Sequence, residues 1–91
     1  MSVKVKVPTQ LRTLTEGASE ISGAGDDIGS LIKDLDARHP GLGERLLDDS
    51  GRLRRFVNIY VNDEDVRFLD GLTTTLPDGA QVSIIPAVAG G

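Results

Sequence analysis

The stretch DDIGSLIKDLDARHPG, residues 26–41, carries the amphipathic helix pattern around which the rest of this sequence can be arranged. Either Asp26 or Asp27 can serve as N-cap, because a short carboxylate side chain accepts a free backbone N–H at a helix start. Pro40 and Gly41 end the helix, since proline cannot continue the hydrogen-bond ladder. The apolar side chains recur at intervals of three and four and therefore share one helix face: Ile28, Leu31, Ile32 and Leu35.

Strand patterns lie on both sides of this helix. Residues 3–7 alternate valine with lysine, which is typical of a strand with one buried face. Residues 56–61 are rich in β-branched and aromatic side chains and give the strongest strand signal. Residues 81–85 predict a last strand. Two weaker strands are expected. Leu11, Leu14 and the stretch Glu20–Ser22 suggest a hairpin partner of the first strand, and a short return strand is expected from Val66 to Leu69.

The connecting segments have recognisable turn chemistry. Residues 42–47 predict a second short helical turn, and residues 23–25, Gly-Ala-Gly, predict a loop. Residues 62–65 read as a polar turn. In Leu76-Pro77-Asp78-Gly79, proline fixes φ and glycine can take a positive one, so a tight turn is expected there.

The element order is therefore β, β, α, a short helix, β, β, β. Neither one helix nor one sheet face can bury its apolar side alone. The simplest solution is a mixed sheet packed across the helix, with the first and last strands side by side in the middle. This predicts an α+β fold, the β-grasp or ubiquitin-like roll, with a domain over residues 1–85 and a flexible tail over residues 86–91.

Composition excludes several classes of function. The chain has 91 residues, enough for one domain with a modest core. Its net charge of −4 argues against nucleic acid, although Arg52, Arg54 and Arg55 form either a solvated loop or a contact for an acidic protein. Without cysteine there are no disulfides, thiolate metal sites or cysteine nucleophiles. A signal-peptide pattern and a long apolar run are both missing, so a cytoplasmic location is expected.

No catalytic constellation stands out. His39 is the sole histidine and lies at the helix end, where a structural role is expected. The Gly23–Ile28 segment lacks the third glycine of a dinucleotide loop, and its two aspartates would repel a pyrophosphate. The acidic turns at 48–49 and 63–65 do not have the ligand spacing of a calcium loop. The sequence thus predicts no catalytic residue, no metal site and no cofactor bound by this chain.

The C-terminal tail, Pro86-Ala87-Val88-Ala89-Gly90-Gly91, is the remaining candidate. Gly90 and Gly91 lack a Cβ, so their backbone can pass through a narrow channel. Val88 and Ala89 add reach, at about 3.3–3.6 Å per extended residue. The Gly91 carboxylate could be converted into an acyl-adenylate in another enzyme's ATP site, and the alternative is an inert, frayed terminus.

The segment from Phe56 to Phe68 and the ending from Ile85 to Gly91 resemble the ThiS/MoaD family of ubiquitin-like sulfur carriers, and most of all its actinobacterial branch for cysteine biosynthesis. The resemblance implies that an E1-like enzyme adenylates Gly91 with ATP, and that sulfur then displaces AMP to give a thiocarboxylate. It also implies a pyridoxal-phosphate (PLP) cysteine synthase acting on O-phosphoserine and a zinc-dependent JAMM-type peptidase. ATP, PLP and zinc would belong to these partners, and the chain itself would be a carrier, not an enzyme.

Three alternatives remain open at this point. The carrier could serve thiazole or molybdopterin synthesis, it could be a covalent protein modifier, or it could act without using its tail. Partner docking also requires a surface, and Phe68 and Leu69 are the candidates. For Phe68 the strand alternation favours burial in the core instead.

Overall fold

A computed structural model describes residues 2–54 and 57–86 of the chain. The helices and strands follow in the predicted order: β1 (Ser2–Lys6), β2 (Glu20–Ala24), α1 (Ile28–Arg38), α2 (Leu42–Leu46), β3 (Val57–Val61), β4 (Glu64–Asp65) and β5 (Gln81–Pro86). Short 3-10 helices occupy Thr9–Leu11, Val66–Phe68 and Gly71–Thr73. The assignment of Leu11 and Leu14 to the second strand is therefore wrong, because Leu11 is in the first of these helices and Leu14 in the turn that follows it. Within these described segments, every helix is too short or too polar to cross a bilayer.

The five strands form one mixed sheet in the order β2-β1-β5-β3-β4. β1 and β5 run parallel in the middle, with Val5 opposite Val82. β2 pairs with β1, and β3 with β5, in antiparallel register. The predicted adjacency of first and last strands and the β-grasp roll are therefore confirmed.

Helix α1 covers one face of this sheet through the predicted apolar stripe, whose members are all buried. Its start is fixed by Asp27, whose carboxylate accepts the backbone N–H of Ser30 at 2.8 Å. Its end is marked by His39, whose N–H donates to the Leu35 carbonyl at 2.7 Å. The sheet side of the core comes from the inward residues of β1, β3 and β5: Val3, Val5, Val57, Ile59, Val61, Val82 and Ile84.

The predicted loop at residues 23–25 is wrong for its first two residues, because Gly23 and Ala24 belong to β2. A Cβ placed on Gly23 would lie 2.7 Å from a terminal methyl of Leu31 and equally close to one of Leu35. Glycine therefore occurs inside this strand because α1 passes directly over it.

The predicted return strand is shifted. Glu64 and Asp65 form β4, so the turn consists of Asn62 and Asp63 alone, with φ of 50° and 73°. Two consecutive positive φ values are typical of the tightest hairpin turns. The chain then leaves the sheet as a 3-10 helix, where the Asp65 carboxylate accepts the backbone N–H of Arg67 at 2.8 Å.

Candidate functional site

The candidate site lies where β5 ends. Its last residue, Pro86, is opposite Val57 of β3, so the strand extends one residue beyond its predicted end. The tail residues predicted to act, Gly91, Gly90, Ala89 and Val88, lie outside the residues that the structure describes. What the structure defines is the point from which the tail departs, which we call the exit.

On the β1 side of the exit, a groove of about 290 Å³ separates the end of β1 from the end of β5. Lys6, Val7 and Pro8 line one wall, and Ser83 to Ile85 line the other. Ile85 is 47% exposed although it is a large apolar residue. The exit is thus flanked by apolar surface that the core does not use.

On the β3 side of the exit, Arg67 links two segments. Its guanidinium donates to the Asn58 side-chain oxygen and, at 2.6 Å, to the Arg54 carbonyl. Asn58 is in turn opposite Ile85 across the β3–β5 ladder. Arg67 therefore connects Arg54, which precedes β3, with Asn58, the β3 residue opposite Ile85. Sequence reasoning missed Arg67, since its partners are 9 and 13 residues away.

The two docking candidates are both exposed, but they lie at different places. Phe68 is 87% exposed and follows Arg67 directly, so its predicted burial in the core is wrong. Leu69 is 41% exposed and lines a groove of about 320 Å³ with Asn62 and Pro77, near the start of β5. Only Phe68 follows a residue, Arg67, whose side chain contacts Asn58, the β3 partner of Ile85. The docking role of both remains a prediction.

The Asp48 carboxylate, in the acidic turn at residues 48–49, is hydrogen-bonded within its own turn. Asp48 accepts hydrogen bonds from the Ser50 hydroxyl and from the backbone N–H groups of Ser50 and Arg52. The Ser50 hydroxyl, followed by the Arg52 N–H, lowers the pKa of Asp48. Across residues 2–54 and 57–86, no three histidine or acidic side chains come close enough together to hold a metal ion.

The chain matches the family model described as the ThiS family over residues 5–91. It is 56% identical over 93 residues to the sulfur carrier protein CysO of Mycobacterium tuberculosis, covering the whole of both chains. The crystal structure of that CysO superposes with a TM-score of 0.91 at 55% identity, over 94% of this chain and 99% of the other. The carrier in the BexX/CysO complex of Amycolatopsis orientalis gives a TM-score of 0.92 at 46% identity, over 98% and 99%.

Proposed function

Because this chain belongs to the ThiS family, we propose that it is a sulfur carrier whose reactive group is the C-terminal carboxylate of Gly91. The observation that carries the proposal is the full-length similarity to a sulfur carrier, with the Gly90-Gly91 ending in the matched range. The position of the exit supports it, because β5 delivers the tail from the end of the sheet.

The proposed activation has two steps. A carboxylate is a poor electrophile, so an E1-like partner first joins the Gly91 oxygen to the α-phosphate of ATP and releases pyrophosphate. A sulfur nucleophile then attacks the acyl carbon, the C–O bond to AMP breaks, and Gly91 is left as a thiocarboxylate. The chain supplies no acid, base or metal ligand for these steps, so we regard it as a protein cosubstrate rather than an enzyme.

The tail residues have different roles in this scheme. Gly91 carries the carboxylate and later the sulfur. Gly90 leaves room for the backbone in a narrow active-site channel, because it has no Cβ. Val88 and Ala89 lengthen the tail, so that Gly91 can reach into the partner's active site. Of the docking candidates Phe68 and Leu69, we favour Phe68 because it is the more exposed and follows Arg67, which contacts the β3 partner of Ile85.

The likeness to CysO favours cysteine biosynthesis as the pathway. In it, the thiocarboxylate would donate sulfur to an aminoacrylate that a PLP-dependent cysteine synthase forms from O-phosphoserine. A zinc-dependent JAMM-type peptidase would then release cysteine from Gly91. Both partners and the ATP-dependent activating enzyme would meet the carrier in the cytoplasm.

Intact-mass spectrometry tests this proposal. After incubation with the activating enzyme, ATP and a sulfide source, we expect the mass gain of one oxygen replaced by sulfur. With the cysteine synthase and O-phosphoserine, the carrier should then gain a cysteine residue. A carrier lacking Gly91 should show neither product, while its thermal unfolding stays unchanged because terminal residues bury little surface.

Other products would redirect or refute the assignment. Thiazole or molybdopterin formation without the cysteine adduct would move the carrier to one of those pathways. Isopeptide-linked conjugates that require Gly91 would identify a protein modifier. Full function in a chain without Gly90 and Gly91 would refute a role for the tail.

A further inference from the structure

Strand β5 runs further than the strand beside it. β1 pairs with β5 only as far as Lys6, opposite Ser83, whereas β3 stays paired with β5 up to Pro86. Pro8 has no backbone N–H, so it cannot extend the ladder on the β1 side. Residues 84–86 are therefore left with an open edge where β1 ends.

The main-chain groups on this open edge are carbonyl oxygens. The Gln81 carbonyl accepts the Asn62 N–H and so points towards β3. Successive residues of a strand alternate between its two edges, so the carbonyls of Ile84 and Pro86 point away from β3. The Ile84 N–H pairs with the Lys6 carbonyl, because Lys6 bonds to both neighbours of its partner in the parallel ladder. Since Pro86 has no N–H, this end of β5 presents acceptors and no free donor on its open edge.

A groove with apolar walls lies along this edge. It is the groove of about 290 Å³ between the ends of β1 and β5, which we call the exit groove. The Ile84 side chain is buried in the core, so Ile84 lines the groove through its main chain. Val7 and Pro8 belong to one wall, and the exposed Ile85 belongs to the other. The exit groove thus combines a main-chain acceptor with apolar surface.

The sheet is poorly suited to the addition of another strand. On β5, Pro86 contributes no N–H to the open edge, and proline is one of the residues by which proteins prevent strand addition. The outer edges of the sheet are protected as well. The Ala24 N–H of β2 donates to the Asp34 carboxylate at 2.8 Å, and β4 is only two acidic residues long, Glu64–Asp65. The expected occupant of the exit groove is therefore a side chain and not a strand.

We propose that the exit groove docks the activating enzyme through an apolar side chain, seated between Pro8 and Ile85, and a side-chain donor that pairs with the Ile84 carbonyl. The inference rests on the proposed function, which supplies this partner. Five residues follow Pro86, and at about 3.3–3.6 Å each the tail reaches only ~17 Å. An enzyme that holds Gly91 in its active site must therefore contact the folded body around the end of β5, where the exit groove lies.

The two contacts depend on each other. An apolar side chain in the groove buries water-exposed area of Ile85, which is favourable. The same side chain excludes water from the wall that the Ile84 carbonyl lines, and a buried acceptor without a donor is unfavourable. A partner therefore gains the full benefit of the groove only if it brings a donor together with the apolar group. This requirement selects for a particular partner surface.

The first test measures the initial rate of pyrophosphate release by the activating enzyme of the same genome, with ATP and increasing carrier concentration. Ile85→Thr removes apolar area but keeps a β-branched residue suited to a strand. It should raise KM about tenfold with kcat unchanged, the size of a moderate interface hot spot. Leu69→Thr is the matched control, because Leu69 is 41% exposed against 47% for Ile85 and lies near the start of β5. Its KM should stay within about twofold of wild type.

The second test follows the donor contact in the wild-type chain, so it does not depend on the folding of a variant. On titration with the activating enzyme, the carbonyl ¹³C resonance of Ile84 should move downfield, as it does when a carbonyl accepts a hydrogen bond. The carbonyl of Val82 is the internal control, since it already accepts from Lys6 in the β1–β5 ladder and should not move.

The remaining outcomes are distinguishable. If the carrier is adenylated but Ile85→Thr keeps the wild-type KM, or the Ile84 resonance does not move, the exit groove is not the docking site and the proposed function still stands. If wild type is not adenylated at all, the proposed function fails and the inference with it. An Ile84 shift that appears with rising carrier concentration in the absence of enzyme would assign the groove to a second copy of this chain instead.

Discussion

Asn62 and Gln81 are joined by two hydrogen bonds in opposite directions. The Asn62 N–H donates to the Gln81 carbonyl at 2.9 Å, and the Gln81 N–H donates to the Asn62 side-chain oxygen at 3.0 Å. Asn62 also has a φ of 50°, as the first residue of the β3–β4 turn. One residue therefore forms the hairpin turn and fixes the first residue of the strand that leads to the tail.

Replacing Asn62 by glycine separates these two roles. Glycine keeps the positive φ but removes the side-chain acceptor, so Asn62→Gly should lower the free energy of unfolding by about 1 kcal/mol, the net value of one hydrogen bond. Asp63→Gly is the control, because its φ of 73° also suits glycine and its free energy of unfolding should not fall. Urea denaturation measures both, and equal effects would contradict the role of the Asn62 side chain.

Gly25 is expected to tolerate no side chain. A Cβ at this position would lie 2.6 Å from the backbone nitrogen of Leu31, so Gly25→Ala should destabilise the fold by about 1–3 kcal/mol through overpacking. Gly29 is the matched control in helix α1, where the nearest atom to an added Cβ is the Leu72 carbonyl oxygen at 3.4 Å. Gly29→Ala should stabilise the protein by up to about 1 kcal/mol. Denaturant unfolding measures the change in the free energy of unfolding for each variant. Changes of the same sign in the two variants would refute this interpretation.

Asp34 should contribute to acid sensitivity. The Ala24 N–H, and then Arg38, hold the pKa of Asp34 below its ordinary value of 3.8. A carboxyl whose pKa is lower in the folded state binds fewer protons there, so its stabilisation is complete above 3.8 and is lost as the pH falls through the folded pKa. The melting temperature should therefore decline as the solution is acidified through this range.

Asp34→Asn tests that expectation with little change of shape, because the amide oxygen can still accept from Ala24. The variant should melt at a lower temperature than wild type at neutral pH and show a shallower decline in acid. Calorimetric melts over a series of acidic buffers measure this. An unchanged acid slope would show that the Asp34 charge does not contribute.

The tail prediction concerns clearance at Gly90. Gly90→Val adds a β-branched side chain and should slow adenylation, while Gly90→Ala should fall between Val and wild type. Both variants should melt like wild type, because terminal residues contribute little to stability. Equal adenylation rates for the three proteins would contradict the narrow-channel argument.

The helix and the sheet order could be predicted from the sequence because their signals are local. The spacing of Ile28, Leu31, Ile32 and Leu35 defines a helix face, and Asp27 is a common type of N-cap. Once the element order is known, few arrangements bury both the helix stripe and one sheet face. Elimination of other sites left the tail as the candidate, and the family resemblance then implied its role.

Two of the errors have different causes, a tertiary contact at Gly23 and a local cap at Asp65. Gly23 was assigned to a loop because glycine weakens strands, but it is in β2 because Leu31 and Leu35 leave no room for a Cβ. Phe68 was expected in the core from its alternation with Val66, but the Asp65 cap turns the chain into a 3-10 helix and leaves the ring in solvent. The contact at Gly23 is not visible in a short window of sequence, whereas the Asp65 cap is local and competes with the alternation of Val66 and Phe68.

The central position of β5 has a mechanical consequence. The tail continues from a strand that is hydrogen-bonded to β1 on one edge and to β3 on the other. A pull on the C-terminus acts along this strand and loads both ladders in shear, so many bonds must break together instead of one after another. The folded body is thus a stiff anchor, and tension on the tail does not unravel the sheet strand by strand.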